Sequence, residues 1–390
     1  LMNKLAAPGR LTLTAAQIYP VTGPGSGGII AVGDYLAKGP NGDIASYNHD
    51  AVLTLRRTDG QTPAMPYSAF GSITLAAPLI EQGGVLRAPL GAITFESRSE
   101  KPSTVRFLPG SITSISGGGL LMPYGGTVDG VKYTYAGKDV TPDPTRSDDF
   151  LGRKIQIQGS VIEVAEGAVL DLSGGGELTG GAFVRGRGGS VDVLRYAMAD
   201  ANPGFSFSRS GNAVYAIVPG FTGSQAPVAA DAGAGNPAVG RQVTIQGGVP
   251  GLPAGTYTLL PSTYALLPGA FRVELGPQGA NEASVTAATR GGSWVGSGLL
   301  GTARTGQLAA LPTRLLITPA DVVRRHAQYN ETSYNAFVLA DAARKGIARG
   351  MLTTDARALH LNLAQGAGMG DAPALSFKGC LLYTSDAADE

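Results

Sequence analysis

Gly71-Ser72-Ile73-Thr74-Leu75 recurs as Gly91-Ala92-Ile93-Thr94-Phe95 and again as Gly110-Ser111-Ile112-Thr113-Ser114, so a glycine followed by a short β-branched strand returns about every 19 to 20 residues. That period is the length of one coil of a β-solenoid. Variants at Gly9-Arg10-Leu11-Thr12-Leu13, Lys154-Ile155-Gln156-Ile157-Gln158 and Gln242-Val243-Thr244-Ile245-Gln246 extend the pattern through much of the chain. In each, apolar residues alternate with polar ones, which turns one face inward and the other to solvent. The strands at 10–14, 72–76, 92–96, 155–158, 161–164, 168–172 and 243–246 are therefore predicted to be parallel and to face a shared apolar column, with Leu170 pointing inward.

Composition supports folding rather than disorder. The chain has 58 Gly and 25 Pro with only 15% charged residues, yet 43% of it is hydrophobic, and the short apolar strands sit between the Gly clusters. A net charge of +1 with no Lys/Arg run gives no electrostatic basis for binding nucleic acid or an anionic membrane. No run approaches the roughly 20 apolar residues of a membrane span, so no membrane insertion is expected. The one Cys lies in Cys380-Leu381-Leu382-Tyr383-Thr384-Ser385-Asp386-Ala387-Ala388-Asp389-Glu390, which resembles a translated sequencing-library adapter residue for residue. These residues, 380–390, are expected to take no part in the fold, and the chain reads as an internal piece of a longer protein.

The pattern divides the chain. Residues 1–135 read as β-solenoid coils, with turn signals at Pro24-Gly25-Ser26-Gly27-Gly28, Pro40-Asn41-Gly42-Asp43 and Gln82-Gly83-Gly84. Residues 136–152, with Asp139, Asp143, Asp148 and Asp149 around Pro142 and Pro144, read as a loop leaving the coil. Coils resume over 153–200, where two alternating strands between Ser160 and Ser173 are joined by Glu166-Gly167. The Gly/Pro/Tyr-rich stretch 201–318 is predicted to be a β-rich excursion packed on the shaft, because proline at that density forbids long helices and central strands. A helical insertion is expected over 319–346: Thr318-Pro319-Ala320-Asp321 supplies an N-cap, a proline at N1 and an acidic first turn, and Ser333 to Lys345 stops at Gly346. Leu359-His360-Leu361-Asn362-Leu363 returns the chain to strand within 347–379.

Taken together, Gly167-Ala168-Val169-Leu170-Asp171-Leu172-Ser173-Gly174-Gly175-Gly176, Gly188-Gly189-Ser190-Val191-Asp192-Val193-Leu194, Leu252-Pro253-Ala254-Gly255-Thr256-Tyr257-Thr258-Leu259-Leu260-Pro261, Leu266-Leu267-Pro268-Gly269-Ala270-Phe271 and Tyr329-Asn330-Glu331-Thr332-Ser333-Tyr334 resemble the large filamentous-haemagglutinin-type exoproteins of Gram-negative bacteria. The resemblance spans most of residues 1–379, and its motifs are structural. It implies an all-β fold, a right-handed parallel β-helix. It also implies secretion to the cell surface by a two-partner route through an outer-membrane β-barrel partner, with adhesion to a host surface or glycan receptor as the role. The sequence shows no amino-terminal secretion domain and so reads as central shaft. Two other functions stay open: a carbohydrate-active β-helix of the lyase or depolymerase type, and the stem of a contact-dependent toxin.

The candidate chemistry is thin, and the reading is of a non-enzyme with no catalytic, cofactor-binding or metal-ligating residues and no cofactor. Gly186-Arg187-Gly188-Gly189-Ser190 could cradle a phosphate but lacks the Gly-Lys-Ser/Thr ending, and a solenoid corner explains it. The aspartates at 139–149 could pair for glycoside cleavage, though solvated loop carboxylates account for them. His49, His326 and His360 are far apart and show no metal-ligand spacing. Asn330-Glu331-Thr332 fits a glycosylation sequon. Tyr257, Tyr264, Tyr329 and Tyr334 could form a binding face, with packing of the excursion as the competing account.

Overall fold

The computed structural model describes residues 3–23, 27–39, 42–58, 60–96, 103–144, 153–186, 191–282, 284–363 and 373–383. The chain is mostly β, with 42% strand against 8% helix, and divides into two compact units. The first comprises Leu1–Leu120, Pro142–Gly176 and Ile347–Glu390, and the second Leu121–Thr141 and Glu177–Gly346.

In the first unit the chain visits three sheets in a fixed order. Ser72–Ala76, Leu79–Gly83 and Val85–Arg87 make one circuit; Ala92–Glu96, Thr104–Phe107 and Ile112–Ser114 make the next; Lys154–Gly159, Val161–Val164 and Val169–Asp171 follow. Each strand pairs in parallel with its counterparts one circuit before and after, except that Val85–Arg87 begins its sheet and meets only a single parallel bridge from Ile18 on its earlier side. Ile73 lies beside Ile93 and Ile93 beside Ile155, while Leu75, Phe95 and Ile157 form the neighbouring column. Asn3–Ala7 and Gly27–Val32 precede them in the first sheet, and Arg10–Ala15 and Val52–Arg57 in the second. Ala358–Leu363, Leu375–Phe377 and Cys380–Leu382 add a later circuit to all three. The first two sheets each hold six strands stacked in chain order.

The alternation read from the sequence produces this stacking. Leu11, Leu53, Ile80, Val105 and Ile162 fall in register on the inner side of the second sheet and join the common core. At about 25 cal/mol per Å² of apolar surface removed from water, such columns supply the main stabilisation. Gln82 interrupts one of them, between Leu55 and Phe107. It is fully buried, and its amide nitrogen donates to Gly84 O, Ile112 O and Thr113 Oγ1, each at 3.2 Å, while its oxygen accepts the Gly84 N–H. A fully bonded polar group of this kind avoids the desolvation penalty an orphan would carry.

The glycine that opens the repeat is required by the same stacking. A Cβ on Gly91 would sit 1.8 Å from Gly71 O, and one on Gly71 would sit 2.4 Å from Val21 O. A second set of close approaches lies where the chain exits after Val169–Asp171. There the Gly175 N–H donates to Thr353 O at 2.9 Å, and a Cβ on Gly174 would come within 2.0 Å of Thr354 O.

Several expectations need correction. Ile112–Ser114 is not equivalent to Ser72–Ala76 and Ala92–Glu96: it lies in the third sheet between Val85–Arg87 and Val169–Asp171. A coil with three similar strands repeats its alternation at sub-coil spacing, so sequence period alone does not say which side a strand occupies. Residues 243–246 are not in the parallel column either. Arg241–Ile245 pairs antiparallel with Gly255–Thr258 and Trp294–Thr302, and Val243 and Ile245 belong to a separate apolar core.

The coils also yield to the second unit at Leu121 and at Glu177, earlier than the expected ends at 135 and 200. Lys138–Asp139, assigned to a loop, forms a hairpin with Thr134–Tyr135. Cys380–Leu382, expected to contribute nothing, is a strand beside Val169–Asp171 with Leu381 packed against the core. Its alternating side chains continue an existing column, and an open strand edge pairs with any segment of fitting alternation. Thr384–Glu390, Pro24–Ser26, Pro40–Asn41 and residues 145–152 lie outside the described residues.

The second unit is built on an antiparallel sheet that includes Ala213–Ile217, Phe271–Gln278, Thr313–Pro319 and Trp294–Thr302 in that spatial sequence. The helices Ala320–His326 and Tyr334–Lys345 fall within the predicted insertion, separated by the strand Tyr329–Ser333, which pairs with Glu177–Phe183. Pro319 stands one position before the first helical residue. Gly346 closes the second helix in the left-handed region, φ 64°, with its N–H on Ala342 O and Ala343 O.

Gly91→Ala should destabilise the first unit by several kcal/mol, because backbone rather than a flexible side chain stands in the way. Gly28→Ala meets nothing within 4 Å and should change stability by no more than about 0.5 kcal/mol. Urea unfolding of the two variants checks the contrast.

Candidate functional site

The outer faces of the parallel sheets are one place where chemistry could gather. On the second sheet, Thr12, Thr54, Glu81, Arg106, Glu163 and Ser376 form an outward column. Thr54 Oγ1 donates to Glu81 Oε2 at 3.2 Å, and Arg106 Nε donates to Glu163 Oε2 at 2.6 Å. The first sheet presents Thr74, Thr94, Gln156 and His360, with Lys154 Nζ 3.5 Å from His360 Nδ1. The charges of the second-sheet column are engaged within it, Glu81 by Thr54 and Arg106 by Glu163, while Arg57 of the same sheet bonds the carbonyls of Gly60, Gln61 and Gly110.

The densest polar cluster lies in the second unit. Arg272 and Glu274, two residues apart on Phe271–Gln278, share one face of the strand, and both are buried, at 0% and 1% exposure. Arg272 Nε donates to Val193 O at 2.7 Å, and its Nη2 donates to Tyr196 O at 3.1 Å and to Glu274 Oε2 at 3.0 Å. Glu274 also accepts from Met198 N–H at 3.0 Å, from Asn212 Nδ2 at 2.8 Å and from Ser208 Oγ. Arg272 Nη1 is buried with no hydrogen-bond partner. Burial lowers the Arg272 pKa, and the Glu274 charge opposes that shift.

Beside this pair, Tyr329 Oη donates to Asp192 Oδ1 at 2.8 Å, and the Leu194 N–H donates to the same oxygen at 3.0 Å. Arg195 spans Asp192 and Asp231, at 3.4 and 3.2 Å. Burial raises the Asp231 pKa against the pull of Arg195, and burial followed by the Asp192 charge raises that of Tyr329. Two carboxylates in unlike surroundings are the raw material of acid–base catalysis. Here Arg195 contacts both, so the two carboxylates belong to one ion network.

The residues singled out in the sequence do not converge. His49 packs edge-on against Tyr47 and His360 lies on the first sheet, both in the first unit, whereas His326 ends a helix of the second. Among the described residues no three His, Cys, Asp or Glu side chains are grouped to hold a metal ion. Asp139 lies in the hairpin, and Asp148 and Asp149 fall outside the described residues, as do Arg187–Ser190 of the glycine-rich loop. Tyr264, Tyr329 and Tyr334 are buried, which favours packing over a binding face. Tyr334 stands edge-on to Tyr133 at 5.4 Å, beside Tyr124 stacked on Tyr135 at 4.6 Å. Asn330 directs its amide nitrogen at Thr127 O and Val128 O.

No family model matches the chain, and no curated protein or solved structure matches it either. No helix among the described residues is long and apolar enough to cross a membrane.

Breaking a buried pair leaves an uncompensated charge, so Arg272→Ala should cost about 3–5 kcal/mol, while Arg272→Met with Glu274→Leu should cost less, since no charge is left unpaired although Val193 O, Tyr196 O and the Met198 N–H lose their partners. Urea unfolding followed by fluorescence of Trp294, the single tryptophan and a residue of this unit, reads both. Equal destabilisation by the single and double replacements would contradict the account.

Proposed function

We propose that the first unit is a stretch of right-handed parallel β-helix and that the chain is a shaft segment of a secreted bacterial surface adhesin. In this reading it is non-catalytic, attaches to host cells, other bacteria or surfaces, and reaches the Gram-negative cell surface through an outer-membrane β-barrel partner. The observation that carries the reading is the register kept across insertions. Ile93 pairs with Ile155 and Ile155 pairs with Leu359, although the chain leaves the stack between the members of each pair. A stack in which each coil contacts only its neighbours tolerates such departures at its corners. It thereby serves as a rigid support on which loops and inserted units carry binding.

The Glu81–Arg106–Glu163 column favours one second reading, a carbohydrate-active surface. Against it, Glu81 accepts from Thr54 and Glu163 accepts from Arg106, while a general acid needs a tuned and available proton.

The test is to incubate the purified chain with a polysaccharide panel and immobilised cell surfaces. The adhesin reading expects attachment without turnover. Turnover lost in Glu81→Gln or Glu163→Gln would establish the enzyme reading instead.

A further inference from the structure

His326 closes the helix Ala320–His326 and stands edge-on to Phe205, with ring centroids 6.1 Å apart at 88°. Its Cε1 and Nε2 face Gly291, where a Cβ would lie 3.9 Å from each. Nε2 is buried and has no hydrogen-bond partner. The charges that act on the ring are those of Arg272, on the packed strand Phe271–Gln278, and Arg325, on its own helix.

Several of the remaining charged groups on the packed elements are paired. Glu274, on the same strand as Arg272, is taken by Arg272, Ser208 and Asn212. On the helix itself, Asp321 pairs with Arg325 at 3.5 Å and Arg324 pairs with Glu331. The packed strand Thr313–Pro319 brings Arg314, held by Glu282 at 2.9 Å, and the turn Ser262–Leu266 brings Tyr264. Arg290 adjoins Gly291, and Asp200 and Arg209 flank the segment that carries Phe205.

We propose that His326 is an acid-sensitive latch of the second unit: proton uptake puts a cation in the field of Arg272 and Arg325 and makes Nε2 a donor with no acceptor, releasing the end of helix Ala320–His326 from the segments carrying Phe205 and Gly291. An imidazolium carries N–H groups on both nitrogens, so in the charged ring Nε2 is a donor whichever tautomer preceded it. Release would be felt at once by the next strand, because only Ala327 and Gln328 separate His326 from Tyr329, the residue that holds Asp192.

The direction of the pH effect follows from linkage. Burial, reinforced by the two arginines, lowers the folded-state pKa of His326. The unfolded chain therefore binds the proton first, and stability falls as the pH drops below the ordinary histidine value of about 6.5. Asp231 cannot produce this loss. Its raised pKa makes the folded state the better proton binder, so its contribution to stability grows as the pH falls.

The test is thermal unfolding of the full chain followed by Trp294 fluorescence at pH 7.5 and 5.5, for wild type, His326→Gln and His360→Gln. Between the two pH values the wild-type and His360→Gln midpoints should fall by roughly 2–4 °C more than that of His326→Gln. Equal falls in all three, or no fall in wild type, would overturn the proposal. Should His326→Gln fail to fold, NMR titration of a His49→Gln/His360→Gln chain, whose only imidazole is His326, decides. Titration below about 6.5 supports the latch, and titration at or above it overturns the latch.

Discussion

Parallel pairing between successive coils, repeated at about 4.8 Å, is the constraint on which the first unit depends. It places every side chain directly over its counterpart in the previous circuit, so one residue choice propagates along a column. Ile73, Ile93 and Ile155 are alike because they are neighbours in space. The same spacing leaves no room for side chains where corners stack, which is why Gly71 and Gly91 open their strands. Gln82 shows the limit of tolerance: a polar residue enters the inner column only with its amide bonded on both sides.

The second unit solves a different problem. Its antiparallel sheet encloses its own apolar core, and the face bearing Arg272 and Glu274 is covered by the segment running from Asp192 to Asn212. Two charges on one strand would be a cost if left alone. They are sustained by each other, by two carbonyls, the Ser208 hydroxyl, the Met198 N–H and the Asn212 amide, with only Arg272 Nη1 left unpaired, and the bonded segment is thereby fixed to the sheet. Asp192, Arg195, Asp231 and Tyr329 extend this network toward the surface.

How legible this was from sequence depends on the kind of signal. Alternation with corner glycines located the parallel strands at 72–76, 92–96, 155–158 and 161–164, because inward and outward faces and tight corners leave direct marks on residue type. It did not assign Ile112–Ser114 to its sheet, and it drew Arg241–Ile245 into the wrong unit, since alternation is common to parallel and antiparallel strands. Gly346 was readable because a left-handed helix terminus favours glycine strongly. Arg272 and Glu274 were not. Arg272-Val273-Glu274 has the alternation of a solvent-facing strand, and only the long-range cover by residues 192–212 makes it buried. Cys380–Leu382 misled in the opposite sense: a resemblance to an adapter says nothing about whether a Leu fits an open column.

The central claim is that the chain, after departing for the whole of Glu177–Gly346, returns to pair with the coil it left. The most direct measurement is disulfide formation between Gln156→Cys and His360→Cys, outward-facing partners in parallel register, in a chain with Cys380 replaced by Ser. Partners about 5 Å apart lie within disulfide reach. The account predicts rapid oxidation of this pair and none for the off-register pair Gln156→Cys with Asn362→Cys. Equal cross-linking of both pairs, or of neither, would contradict it.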